Sequence, residues 1–171
     1  MDDLIYCQRD IPKEQWRYGF RSSAATGCGW IATYNALRLL GEQAEPTELI
    51  RFYEHQLPLI HGNLGTTILA PAFYFKKLGY QVNWTARYDS FDALAKNSDV
   101  CILFYRWRKK WQLGSHFVTV RHTAQGYFGY NTYRNSKGPD RYGASLAMFL
   151  KRKKYFGAVL IGIRKPEGEK L

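Results

Sequence analysis

The sequence predicts an α+β domain, and three observations carry that prediction. Apolar residues recur at helical spacing through the first half of the chain, alternate in strand fashion through the second, and nothing between the halves reads as a linker. Helices first and a mostly antiparallel sheet afterwards make residues 1–171 one domain, with a buried helix packed on the sheet. At 171 residues and 46% hydrophobic, the chain is large enough to bury a substantial core.

The elements follow in order. Residues 1–26 show no clear period and contain Gly19, Ser22 and Ser23, which predicts an extended arm and loop. Trp30, Ile31, Tyr34, Leu37, Leu39 and Leu40 then recur at helical spacing until Gly41. Arg38 is the only charge in that stretch, so the helix is expected to be buried on most sides. Pro46 suits a helical first turn and opens a second helix to about Leu57. The loop His61–Gly65 leads to a third helix ending at Gly79, in which Pro71 marks a first turn or a kink. Beyond it, strands are predicted over Tyr80–Arg87, Val100–Trp107, Ser115–His122, Tyr127–Tyr133 and Ala158–Ile163, with Gly114 and Gly126 as punctuation. Short helices are expected at Phe91–Lys96 and Ala144–Lys153.

Charge is unevenly placed. Residues 1–100 hold ten Lys/Arg against eleven Asp/Glu, whereas residues 101–171 hold fifteen against three, within a net charge of +11. Such a half invites an acidic partner: nucleic acid, an anionic membrane face or an acidic peptide. A solvated basic face explains the charge equally well. The N-terminus has no signal-peptide pattern, and the apolar run Ala158–Ile163 is too short to span a bilayer. Three cysteines without metal-like spacing argue against a disulfide framework and for a reducing, cytoplasmic setting.

The segment Thr26-Gly27-Cys28-Gly29-Trp30 places a cysteine where a glycine-flanked loop enters the apolar helix. The helix dipole and unpaired first-turn N–H groups there favour a thiolate. A small buried hydrophobe is the bland alternative. His116 opens Ser115-His116-Phe117-Val118-Thr119-Val120 and shares a strand face with Val118 and Val120, which suits a base aimed into a cleft. Asn131 on the following strand offers a side-chain oxygen to the imidazole N–H, completing triad logic. Cys101 reads as core, Cys7 has no evident partner, and His55 and His61 lack the companions a zinc site needs. No cofactor and no metal are expected.

Together, Gly27-Cys28-Gly29-Trp30-Ile31-Ala32, Gly114-Ser115-His116 and Gly129-Tyr130-Asn131-Thr132-Tyr133 resemble the papain-like cysteine peptidase superfamily. Within it they are most similar to the compact branch of bacterial double-glycine leader peptidases and their stand-alone relatives. The resemblance implies a papain-like fold and thiol-dependent hydrolysis of peptide or isopeptide bonds, with Cys28 attacking, His116 as base and Asn131 orienting it. It also implies an oxyanion donor about six residues before the cysteine, usually glutamine, where this chain has Ser22. An acyl or peptidyl transferase, an amidase, and an idle binding module are the competing readings. The segment Tyr105–Gln112 interleaves cations with aromatics just before His116, and is read as a basic cleft rim selecting acidic peptides rather than nucleic acid.

Overall fold

The computed structural model describes residues 4–55 and 67–166. Six strands form one sheet in the order β3-β8-β4-β5-β6-β7, and every neighbouring pair is antiparallel. They are β3 (Gln81–Thr85), β4 (Val100–Lys109), β5 (Gln112–Thr123), β6 (Gly126–Tyr130), β7 (Asp140–Gly143) and β8 (Phe156–Arg164). The continuous apolar run beginning at Val100 makes β4 a central strand covered on both faces. Val100, Ile102 and Phe104 join one core cluster, while Cys101, Leu103 and Tyr105 join the other.

Helices α2 (Cys28–Leu39), α3 (Pro46–His55) and α4 (Ala70–Lys77) cover the first face. Helices α5 (Phe91–Lys96) and α6 (Leu146–Lys153) cover the second. As expected, α2 is buried almost all round, from Gly29 to Leu37. Its polar side chains are used inside: Thr119 on β5 donates to the Ala32 carbonyl at 2.7 Å, locking helix to sheet. Gly41 adopts φ +83° and stops the helix, with Glu42 N–H reaching back to the Leu37 carbonyl at 2.9 Å. Pro71 falls in the first turn of α4, so no kink is needed. The loop at His61–Gly65 and the end of the second predicted helix lie outside the described residues. No helix among those described is long and apolar enough to cross a membrane.

Three sequence expectations are corrected. The N-terminal arm is folded rather than extended: a short hairpin of β1 (Arg17–Tyr18) and β2 (Arg21–Ser22) leads into α1 (Ser23–Thr26). Asn35, buried in α2, anchors the arm by accepting from the Ile5 N–H and donating to its carbonyl, both at 2.9 Å. Gly114 lies inside β5, directly opposite Trp107 on β4. The strand expected over Tyr127–Tyr133 stops short, because β6 ends at Tyr130 and Asn131 turns into the left-handed region at φ +62°.

Candidate active site

The site forms where the start of α2 meets β5. Helix α1 ends at Thr26, Gly27 caps it, and α2 begins at once with Cys28. Only glycine fits at 27: a Cβ there would stand 2.6 Å from both the Ser23 carbonyl oxygen and the Trp30 indole nitrogen. That indole donates to Ser23 Oγ at 3.1 Å, so the tight corner fixes the helix start from inside. Cys28 is partly buried and packs on the first core cluster. Burial pushes its thiol above the ordinary value, and polar contacts from the backbone of Phe117, Cys28 and Gly29 only partly offset this. The expected lowering by the helix start is therefore present in direction but outweighed by desolvation.

The Phe117 contact is the geometric link to the second residue, because His116 is the next residue back along β5. Strand alternation sends Phe117 and Thr119 toward α2, and Val118 and Val120 toward the opposite core. His116 has the parity of Val118 and meets Tyr105 edge-on, their ring centroids 6.0 Å apart. Tyr105, the ring that His116 meets, also lies within electrostatic reach of the Cys28 thiol. No hydrogen bond joins the thiol and the imidazole here.

The imidazole is held at Nε2, 2.7 Å from the main-chain carbonyl of Asn131. The side-chain contact expected from the sequence is replaced by this backbone one. A carbonyl only accepts, so Nε2 carries the hydrogen and Nδ1 is left as an acceptor. Burial lowers the His116 pKa from its ordinary value, outweighing the Asn131 carbonyl, which pulls the other way.

The Asn131 amide has a different task. Its Oδ1 accepts from the Gln8 N–H at 2.8 Å, and its Nδ2 donates to Gln8 Oε1 at 3.3 Å. Gln8 Nε2 donates in turn to the Ala24 carbonyl at 3.1 Å. The arm is thereby tied to both α1 and the end of β6. The sequence offers Gln8 and Gln15 as glutamines upstream of Cys28, but both lie further away than the position about six residues before it, and Gln8 is twenty residues off. Ser22 is half-buried, and its carbonyl accepts from Thr26 Oγ1 at 3.5 Å.

A cavity of about 480 Å³ opens beside His116. Ala24, Ala25 and Gln8 line one side, and Tyr105, Trp107, Arg108, Lys109 and Ser115 line the side formed by the β4–β5 hairpin. Asn131, Tyr133, Arg134, Tyr155, Arg9 and Cys7 complete most of the rest. Neither Cys28 nor Ser22 is part of the lining. Cys7 does have a partner after all: it is buried, and its thiol donates to the Arg134 carbonyl at 3.1 Å. Cys101 is core, as expected, with its thiol pushed up to about 12 by burial. No group of three or more His, Cys, Asp or Glu suited to a metal occurs among the described residues.

No protein-family profile matches the chain, and no curated protein matches it in sequence. Solved structures do match in fold. The peptidase domain of Streptococcus ComA, a bifunctional ABC transporter involved in quorum sensing, superposes with a TM-score of 0.55 at 13% identity, over 83% of this chain and 93% of that one. A double-glycine motif protease from an AMS/PCAT transporter, solved with its leader peptide, gives 0.54 at 11% identity, over 92% and 96%. The fold is thus that of papain-like peptidase domains.

Proposed function

We propose that the chain is a cysteine peptidase in which Cys28 is the nucleophile, His116 the base and then the acid, and Asn131 the residue that orients the imidazole. The observation that supports this reading is the seating of a helix-start cysteine against the backbone of Phe117, one residue from a histidine whose Nε2 is already engaged at 2.7 Å. Nδ1 takes the thiol proton as sulfur attacks the peptide carbonyl. The C–N bond then breaks, the leaving amine takes that proton, and water hydrolyses the thioester. The free chain shows no hydrogen bond between thiol and imidazole, and catalytic hydrogen bonds of this kind often tighten in the substrate complex.

The tetrahedral oxygen needs donors fixed in advance. The first-turn N–H groups of α2 have no intrahelical acceptor and supply one. Gln8 supplies the second. Its amide has a second N–H beyond the one given to Ala24, and it lines the cavity together with His116.

The test is turnover of an activated ester and of a peptide pool, with intact-mass detection of a covalent acyl adduct. Loss of both activities and of the adduct in Cys28→Ala and His116→Ala supports the reading. An adduct on Cys7, or unchanged turnover in Cys28→Ala, overturns it. Product transfer to an added amine in preference to water would make the enzyme a transferase on the same residues.

A further inference from the structure

The cavity beside His116 carries a charge pattern of its own. Arg9, Arg108, Lys109 and Arg134 line it, and no aspartate or glutamate does. All four are exposed, and none forms an ion pair with a described residue. Asp10, the carboxylate next to Arg9 in sequence, is already held by Lys137 at 2.9 Å. Four like charges around one concavity repel one another, and a chain that keeps them there gains most when an anion enters.

The walls between the cations are aromatic. Trp107 covers Gly114 from the facing strand, where a Cβ would collide with its ring. Tyr105 stacks on Tyr155 with centroids 4.3 Å apart. Such rings cover the apolar stems and backbone of a ligand while the rim pairs its charges.

Position along the substrate follows from the chemistry of the proposed peptidase, on which this inference rests. The acid that protonates the leaving nitrogen must stand next to the leaving half of the peptide. This cavity is lined by His116 and not by Cys28. We infer that it is a subsite for acidic side chains in the first residues on the leaving, C-terminal side of the scissile bond. A peptide fits better than a nucleic acid strand, because the four cations line the same concavity as His116 and Gln8, the residues of the proposed peptidase.

Binding to the Cys28→Ala variant tests the subsite without turnover, using short fluorescent peptides with a free α-amine that mimic the leaving half. Glu-Glu at the first two positions should bind about five- to tenfold tighter than Ala-Ala, as two favourable exposed ion pairs allow, and Lys-Lys weaker than either. Arg108→Ala with Arg134→Ala should erase that difference. Lys76→Ala with Lys77→Ala, which removes equal charge from α4, should preserve it. Equal binding of the three peptides overturns the inference, and so does an equal loss in the α4 pair. Tighter competition by oligothymidine than by an oligo-glutamate of matched charge, or an acidic preference only in peptides mimicking the acyl half, also overturns it. Because the variant is inactive by design, failure here leaves the peptidase reading standing, and loss of ester turnover elsewhere leaves this result standing.

Discussion

The imidazole of His116 donates from Nε2 to the main-chain carbonyl of Asn131 at 2.7 Å, so one backbone atom sets the tautomer of the proposed base. The same residue clamps Gln8 with its side chain. Asn131 therefore couples two parts of the site through two different chemical groups, and substitutions there separate them.

Asn131→Gly keeps the carbonyl and accepts φ +62° without strain, while it deletes the clamp on Gln8. Asn131→Ala deletes the same clamp and adds a left-handed backbone penalty of about 1 kcal/mol. The alanine variant should melt several degrees below the glycine variant, yet both should lose comparable turnover. Calorimetry beside ester kinetics reads both quantities. Equal melting temperatures would remove the strain argument, and full activity in both would remove the clamp from the mechanism.

Acid should act on both activity and stability, with signs fixed by burial. His116 titrates below its ordinary value of 6.5 in the folded chain, so the unfolded chain binds the extra proton first. This group has no effect on stability well above that value, and it destabilises the fold progressively as pH falls below it. The Cys28 thiol is raised, so alkylation by iodoacetamide should climb from neutral into alkaline pH. A fast, pH-independent rate through mildly acidic pH would instead reveal a thiolate–imidazolium pair and contradict the desolvation argument. Partial exposure should still direct the reagent to Cys28 over Cys7 and Cys101, both buried. Peptide mapping decides this.

Most of the architecture was legible because it rests on local periodicity. The largely apolar stretch of α2, interrupted by only a few polar residues, and the buried run Val100–Phe104 read correctly, since a segment buried on nearly all sides shows no polar stripe to confuse. Phe91–Lys96 came out at the same bounds. The arm did not, because its structure is held from afar: Asn35, Asn131 and Lys137 reach residues 5, 8 and 10 across separations of 30 to 127 residues. The site divides the same way. Cys28 and His116 were marked by their own segments, whereas the roles of Gln8 and of the Asn131 carbonyl arise only after the arm folds back. A main-chain acceptor carries no side-chain signature at all.

Gly114 is the second position where a bare backbone matters. Trp107 occupies the space above it, so Gly114→Ala must swing the indole away from that strand. Overpacking of this kind costs about 1–3 kcal/mol. The displaced ring should raise KM for peptides while leaving turnover of a small activated ester near wild type. Parallel loss of both substrates would mean that the strand, and His116 with it, had shifted.

The sharpest test concerns Gln8. As the tetrahedral adduct forms, negative charge collects on one oxygen, and a missing donor there typically lowers turnover about 10²–10³-fold. Gln8 qualifies by placement: its amide is held by Ala24 on one side and Asn131 on the other, so it cannot relax toward solvent as the charge develops. Ser22, the residue at the position expected for this donor, offers a shorter side chain on the strand before α1 and does not line the cavity. Gln8→Ala should therefore lower ester turnover by about that full factor, while the alkylation rate of Cys28, which builds no oxyanion, stays within a few-fold of wild type. Gln8→Glu should be at least as damaging, because a carboxylate repels the developing charge. Ser22→Ala should change turnover by less than tenfold, well under the cost of a full donor. A large loss in Ser22→Ala with an intact Gln8→Ala would exchange the two assignments. Equal falls in alkylation and turnover for Gln8→Ala would reduce Gln8 to a strut holding the arm in place.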